Sequence, residues 1–255
     1  MSEPLLQLEG VDRNFGGVQA VKGLSFAIHP SEIVGLIGPN GSGKSTSVNL
    51  ISGTLAVSAG DIRFGGQSVN HLGISDRVPL GLARTFQTTT VFPEFSVHDQ
   101  VLTACHSRFG LNPAGAVFRS AASRAEESRQ RDKVTQIIDF TGLAGVADQP
   151  ASAISSAQQR LLMIATALAS EPQLVLLDEP AAGMVAKERK DLAKLILGIR
   201  ERGIAVLVIE HHMGLIMEVC ERIVVLNFGQ KIAEGAPADI RANPAVIDAY
   251  LGGAH

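Results

Sequence analysis

The chain has 255 residues, 45% of them hydrophobic, and a formal charge of -3. That is enough for one large domain, or a core with a subdomain, held together by apolar burial without disulfides. The charge balance gives no basic footprint for nucleic acid, and a single Tyr with no Trp gives no aromatic platform for single strands.

The start, Met1 to Leu8, lacks a positive region and a long apolar stretch, so no secretory signal is expected. No window reaches about 18 uninterrupted apolar residues, and no membrane span is expected. Cys105 and Cys220 stand apart from each other and from any C-x-x-C pair, and read as ordinary thiols.

Short strands open the chain. Leu6, Leu8 and Val11 begin one, Phe15-Gly16-Gly17 breaks it, and Leu24–Ile28 alternates like a half-buried strand. The apolar run Glu32–Ile37 predicts a buried strand, and Ser47–Ser52 can continue a helix. Between them stands Gly38-Pro39-Asn40-Gly41-Ser42-Gly43-Lys44-Ser45-Thr46, which fits G-x-x-x-x-G-K-[ST]. Its glycines allow a tight loop with inward N–H groups, and the helix N-terminus adds free donors. Lys44 can reach the β- and γ-phosphates, and the Ser45 hydroxyl can ligate Mg²⁺. Chance alone gives such a match in roughly 1% of chains this long.

Ala59-Gly60-Asp61 turns into a short strand at Ile62–Phe64. Val97–His106 predicts a helix, as does Ser123–Phe140, with Val134, Ile137 and Ile138 on one face. The piece between, Phe109 to Ala122, reads as loop. The basic run Arg124, Arg129, Arg131 and Lys133 is broken by Glu126, Glu127 and Asp132, and reads as a solvated face. Helices over Ala157–Ser170 and Lys187–Arg202 alternate with strands at Leu174–Leu177, Ile204–Ile209 and Ile223–Leu226, the rhythm of a parallel sheet. Leu174–Leu177 ends in Asp178-Glu179-Pro180. Asp178 fits the water-mediated Mg²⁺ shell of a P-loop enzyme, and Glu179 can activate water against the γ-phosphate. His211 follows the next strand and can contact that phosphate, although His211-His212 could equally cap a helix.

In their order these motifs resemble the ATP-binding-cassette ATPases over nearly the whole chain. More narrowly, the chain is similar to the G-type ATPase of bacterial branched-chain amino acid importers. The carrying segments are 38–46, Ala83-Arg84-Thr85-Phe86-Gln87, Gln158-Gln159-Arg160, Leu174–Pro180, Ala181-Ala182-Gly183-Met184, Ile209-Glu210-His211 and the tail Asn243–Gly252. A lipopolysaccharide-export ATPase shares the cassette and a Tyr-Leu-Gly ending. The resemblance implies an α/β P-loop nucleotide hydrolase core of cassette type, with an antiparallel β subdomain and an inserted helical subdomain. Its expected division is 5–90 and 172–236 for the core with the β subdomain, 91–171 for the helical and signature part, and 237–255 for a helical tail.

It further implies ATP and Mg²⁺ as ligands. Phe15 would stack on adenine, Gln87 would join Mg²⁺ and couple to a membrane subunit, and His211 would be the switch histidine. Two cassettes would work head to tail, each ATP lying against the other's signature segment, here Ile154–Arg160. Ser155 and Gln158 match that signature, and Ala157 replaces its usual glycine. A left-handed backbone at Ala157 would cost roughly 1–2 kcal/mol, whereas a helical one would favour Ala. Val185 stands where the subgroup has Asn, at the dimer seam, with Lys187, Glu188 and Arg189 expected on a solvated face. The implied partners are a second cassette, non-identical in an importer, membrane permease subunits and, indirectly, a periplasmic solute-binding protein. The implied location is cytoplasmic, on the inner face of the membrane. Phe92, Pro93 and Phe95 offer apolar contact to a permease. The alternatives are an export-type cassette, or one with reduced turnover that mainly binds nucleotide.

Overall fold

A computed structural model describes residues 3–85, 92–106 and 121–251, without the side chains of 106, 121–128 and 251. Gln87, Phe86, most of the expected 109–122 loop and the last residues of the tail lie outside the described residues.

Two sheets form. The first is antiparallel, ordered β2-β1-β4-β5, from β1 (Leu6–Phe15), β2 (Val18–Ile28), β4 (Ala59–Phe64) and β5 (Gln67–Ser68). Gly16-Gly17 closes its first hairpin, pairing Phe15 with Val18. The second is ordered β10-β9-β3-β8-β7-β6, from β3 (Ile33–Ile37), β6 (Leu82–Arg84), β7 (Leu174–Asp178), β8 (Ala205–Ile209), β9 (Arg222–Asn227) and β10 (Gln230–Gly235). All its pairings are parallel except the edge hairpin β9–β10.

Every residue of β3, β7 and β8 is buried. Continuous apolar strands are what a sheet covered on both faces requires. The two-residue side-chain period then divides each strand between two cores. Val34, Leu36, Leu174, Leu176, Leu207 and Ile209 pack with β1, β2, β4 and α1 (Lys44–Ile51). Ile33, Ile37, Val175, Leu177, Val206 and Val208 pack against the helical layer.

That layer comprises α3 (Val97–His106), α4 (Ala121–Phe140), α5 (Ser156–Ala169) and α6 (Ala186–Glu201). Val134, Ile137 and Ile138 are buried in it, as their spacing predicts. Lys133 departs from a plain solvated face: its ammonium reaches Glu171 at 2.7 Å and the Ala169 carbonyl at 3.2 Å. The short α2 (Ile74–Arg77) and β6 carry too few apolar positions to announce themselves in the sequence. Helices α7 (Met213–Val219), α8 (Pro237–Ala242) and α9 (Pro244–Leu251) extend the same core, through Leu215, Ile216, Val219, Ile240 and Val246. Among the described residues, no helix is long and apolar enough to cross a membrane.

Candidate nucleotide site

Strand register gathers the motifs. Leu36 of β3 and Asp178 of β7 both pair with Ile209 of the intervening β8. The phosphate loop, Asp178-Glu179 and Glu210-His211 therefore leave the sheet at one level, at the carboxyl ends of parallel strands where α/β proteins bind ligands.

The loop runs from β3 into α1, and two of its glycines are set by close packing. A Cβ on Gly38 would lie 2.2 Å from the Leu226 carbonyl oxygen, and one on Gly43, at φ 101°, would lie 2.7 Å from that of Ala20. The loop backbone is thus pressed onto β9 and β2, while Asn40 and Gly41 stay exposed. Lys44 Nζ donates to the carbonyls of Gly38 at 2.7 Å and Pro39 at 2.9 Å. Burial pushes its ammonium below the usual lysine range, and the carboxylates of Glu179 and Asp178 oppose that shift. The Ser45 residue is exposed and Ser42 is buried.

Asp178 is buried and its Oδ2 is held by Arg84 Nη2 at 2.9 Å. Arg84 Nη1 also donates to Asn49 Oδ1 at 2.7 Å and Ser52 Oγ at 3.1 Å, tying α1 to β7. Arg84 lay inside the quoted 83–87 segment, yet nothing local marks it as the partner of a residue 94 positions away. Glu179 takes a left-handed φ of 49°, uncommon for a side-chain-bearing residue. Its N–H donates to the Ile209 carbonyl at 2.8 Å, and Arg160 Nη1 donates to its carbonyl at 3.3 Å. His211 Nδ1 stands 4.0 Å from Glu179 Oε1 and 3.8 Å from Glu210 Oε2, and its side chain is 67% exposed. The adjacent His212 caps α7, accepting from the Leu215 N–H at 3.3 Å. Of the two histidines, His212 is the one that caps the helix, which leaves the His211 imidazole free of that role.

Phe15 is 43% exposed at the end of β1, with the Arg13 guanidinium 4.6 Å from its ring centre. Of the signature segment, Arg160 reaches this cluster through the Glu179 carbonyl, while Ser155 and Gln158 bond to each other. Ser155 and Gln158 form a capping box at the start of α5: Ser155 Oγ accepts from the Gln158 N–H at 3.2 Å, and Gln158 Oε1 accepts from the Ser155 N–H at 2.9 Å. Ala157 sits in the first turn of this helix and is absent from the left-handed residues. The left-handed penalty considered from sequence therefore does not arise. Val185 is the N-cap of α6, 62% exposed and without a side-chain cap. Glu188 and Arg189 are not merely solvated. Glu188 accepts from the Val185 N–H at 2.9 Å, and Arg189 donates to the Met184 carbonyl.

These residues suit a nucleoside triphosphate with a divalent cation: a Gly-rich loop opening a helix, a part-buried ammonium, a buried carboxylate and an exposed hydroxyl. The fold and site define a P-loop nucleotide-binding cassette. The comparisons agree. The family model described as ABC transporter matches residues 21–182, and that of the branched-chain amino acid ATP-binding cassette transporter matches 230–255. The chain is 37% identical, over 99% of both chains, to the high-affinity branched-chain amino acid transport ATP-binding protein BraF of Pseudomonas aeruginosa. Identity and coverage are the same for LivG, the protein so described in Escherichia coli K12. The crystal structure of the ADP conformation of an ATP-binding cassette of an ABC transporter superposes with a TM-score of 0.84, at 28% identity, covering 98% of this chain and 100% of that one. The chain belongs to the ATP-binding-cassette transporter family, whose members of this kind are transport ATPases.

Proposed function

We propose that this chain hydrolyses ATP to ADP and phosphate as the energising cassette of an importer for branched-chain or related amino acids. The observation that carries the chemistry is the gathering of Lys44, Asp178, Glu179 and His211 at the carboxyl ends of β3, β7 and β8. The likeness to BraF and LivG over whole chains supports the solute class and favours import over export.

In this reading Gly38, Pro39, Asn40, Gly41, Ser42, Gly43 and Thr46 enclose the phosphates, and Lys44 leaves its loop carbonyls for phosphate oxygens. Ser45, Asp178 and Gln87 hold Mg²⁺, which supplies charge neutralisation when bound. Arg84 keeps the Asp178 carboxylate oriented. Phe15 stacks on adenine. Glu179 receives a proton from the attacking water, and His211 holds the γ-phosphate side of the site. Ser155 and Gln158 spend their polar side chains on the helix start, and the family resemblance assigns them, with Ala157, to the nucleotide of a second cassette. The helix N-terminus they form supplies donors to that nucleotide. A non-identical second cassette, membrane permease subunits and an indirect solute-binding protein complete the assembly, with this chain on the cytoplasmic face of the membrane. The tilted pair Phe92 and Phe95, 59% and 42% exposed with ring centres 5.2 Å apart, offers the permease an apolar contact.

The test is purification of the assembled complex through this subunit, with identification of its partners. Glu179→Gln should keep MgATP binding and lose most hydrolysis in that complex. Steady-state turnover equal to the parent's would remove Glu179 from the role of base.

A further inference from the structure

We propose that Glu210 is a positioning residue that locks Glu179 and His211 into one geometry; this rests on the reading of those two residues given above. The Glu210 side chain is fully buried. Among the described residues no Lys or Arg forms an ion pair with it, and the His211 imidazole lies 3.8 Å away. A buried carboxylate needs compensation, and here the main chain supplies it. Oε1 accepts from the Ala181 N–H at 2.8 Å. Oε2 accepts from the N–H groups of His211 at 3.0 Å and His212 at 3.1 Å.

The donors belong to two separate segments. Ala181 is two residues past Glu179, on the exit from β7. His211 and His212 are the exit from β8. One carboxylate therefore staples the two strand exits that carry the two groups facing the γ-phosphate. The main-chain bond from Glu179 to Ile209 is the second tie between the same exits. His211 Nδ1 lies nearly midway between the two carboxylates, at 3.8 and 4.0 Å, a placement that holds only while both exits stay in register. Local chain stiffness cannot enforce this, because Glu179 holds a left-handed φ and His211 is largely exposed.

Only an acceptor on both oxygens can make all three bonds. Glu210→Gln keeps size and shape but turns one oxygen into an NH₂ group. Whichever way that amide is placed, it faces an N–H and releases either Ala181 or the histidine pair. The phosphate loop and Asp178 touch neither oxygen, so nucleotide binding is spared.

The experiment compares the parent with Glu210→Gln, His211→Ala, Glu179→Gln and the double variant E210Q/H211A, each in the assembled complex purified through this subunit. The readouts are kcat and KM for MgATP. A displacement of about 1 Å at a reacting group lowers rate up to about 100-fold, so Glu210→Gln should lower kcat about 10- to 100-fold with KM held within about threefold. The double variant should be slower than His211→Ala alone, because the Glu179 exit is released as well, yet less slow than the product of the two single losses, because both act through one unit. A parent-like kcat, a KM that rises as kcat falls, or independent multiplication of the two losses would overturn the proposal. Parent-like turnover in both His211→Ala and Glu179→Gln would instead overturn the site reading, and this proposal with it. If Glu210→Gln fails to assemble, Glu210→Asp is read by the same criteria. Its carboxylate keeps the charge but is one methylene too short to reach both exits.

Discussion

Arg77 gives the sharpest energetic forecast. It is 2% exposed, in the short helix α2, yet it holds the far end of the phosphate-loop helix. Nη1 donates to the carbonyls of Leu50 at 2.8 Å and Ile51 at 2.6 Å, which are the last acceptors of α1. Nη2 donates to Val69 at 2.6 Å and Nε to Leu72 at 3.1 Å. Burial lowers the guanidinium to about 10, so it remains charged at neutral pH. Four hydrogen bonds from a charged donor contribute about 6 kcal/mol in total at the low end of their range. Arg77→Met removes those bonds, and burial of the Met side chain offsets about 3 kcal/mol, for a net loss of about 3 kcal/mol. With a urea slope of about 3 kcal/mol/M, the unfolding midpoint should fall by about 1 M. Arg77→Lys should lie between the two, since one ammonium cannot reach acceptors on three sides. A loss below about 1 kcal/mol in Arg77→Met would refute the claim that this guanidinium anchors α1.

Val185→Asn should supply the missing N-cap of α6 and raise stability by about 1 kcal/mol in urea unfolding. An unchanged midpoint would mean that Glu188 already satisfies that helix start. Ala157→Gly should lower stability by up to about 1 kcal/mol, because Ala157 is helical and glycine is the poorer helix former. A gain in stability would contradict the right-handed backbone there. Burial pushes the Cys220 thiol up to about 12 and also raises Cys105, so both stay protonated at pH 8. A thiol reagent should modify neither until urea unfolds the chain, and rapid labelling of the native protein would place a thiol at the surface.

The phosphate loop, the carboxylate pair and His211 were legible because each is a local pattern on a strand end, and the apolar runs beside them announce those strands. The buried helix face of Val134, Ile137 and Ile138 was legible for the same reason, a period that any helix must obey. The division of labour between His211 and His212 was not. Both follow the same strand, and only the start of α7 turned one into a cap. Lys133, Glu188 and Arg189 looked solvated because charged residues usually are; their partners come from a turn or a distant element.

By itself the sequence determined which groups are on offer: a Gly-rich phosphate-binding motif, a carboxylate pair at a strand end and a histidine after the next strand, each marked by neighbours within a few residues. The tertiary structure decided which of them meet and what holds them. The pairing of Arg84 with Asp178, the burial of Arg77 under α1 and the bridging of two strand exits by Glu210 all depend on sheet order, which brings together residues far apart in the chain. Ala157 shows the converse: its type was plain in the sequence, but its consequence depended on a backbone angle that only the start of α5 fixed.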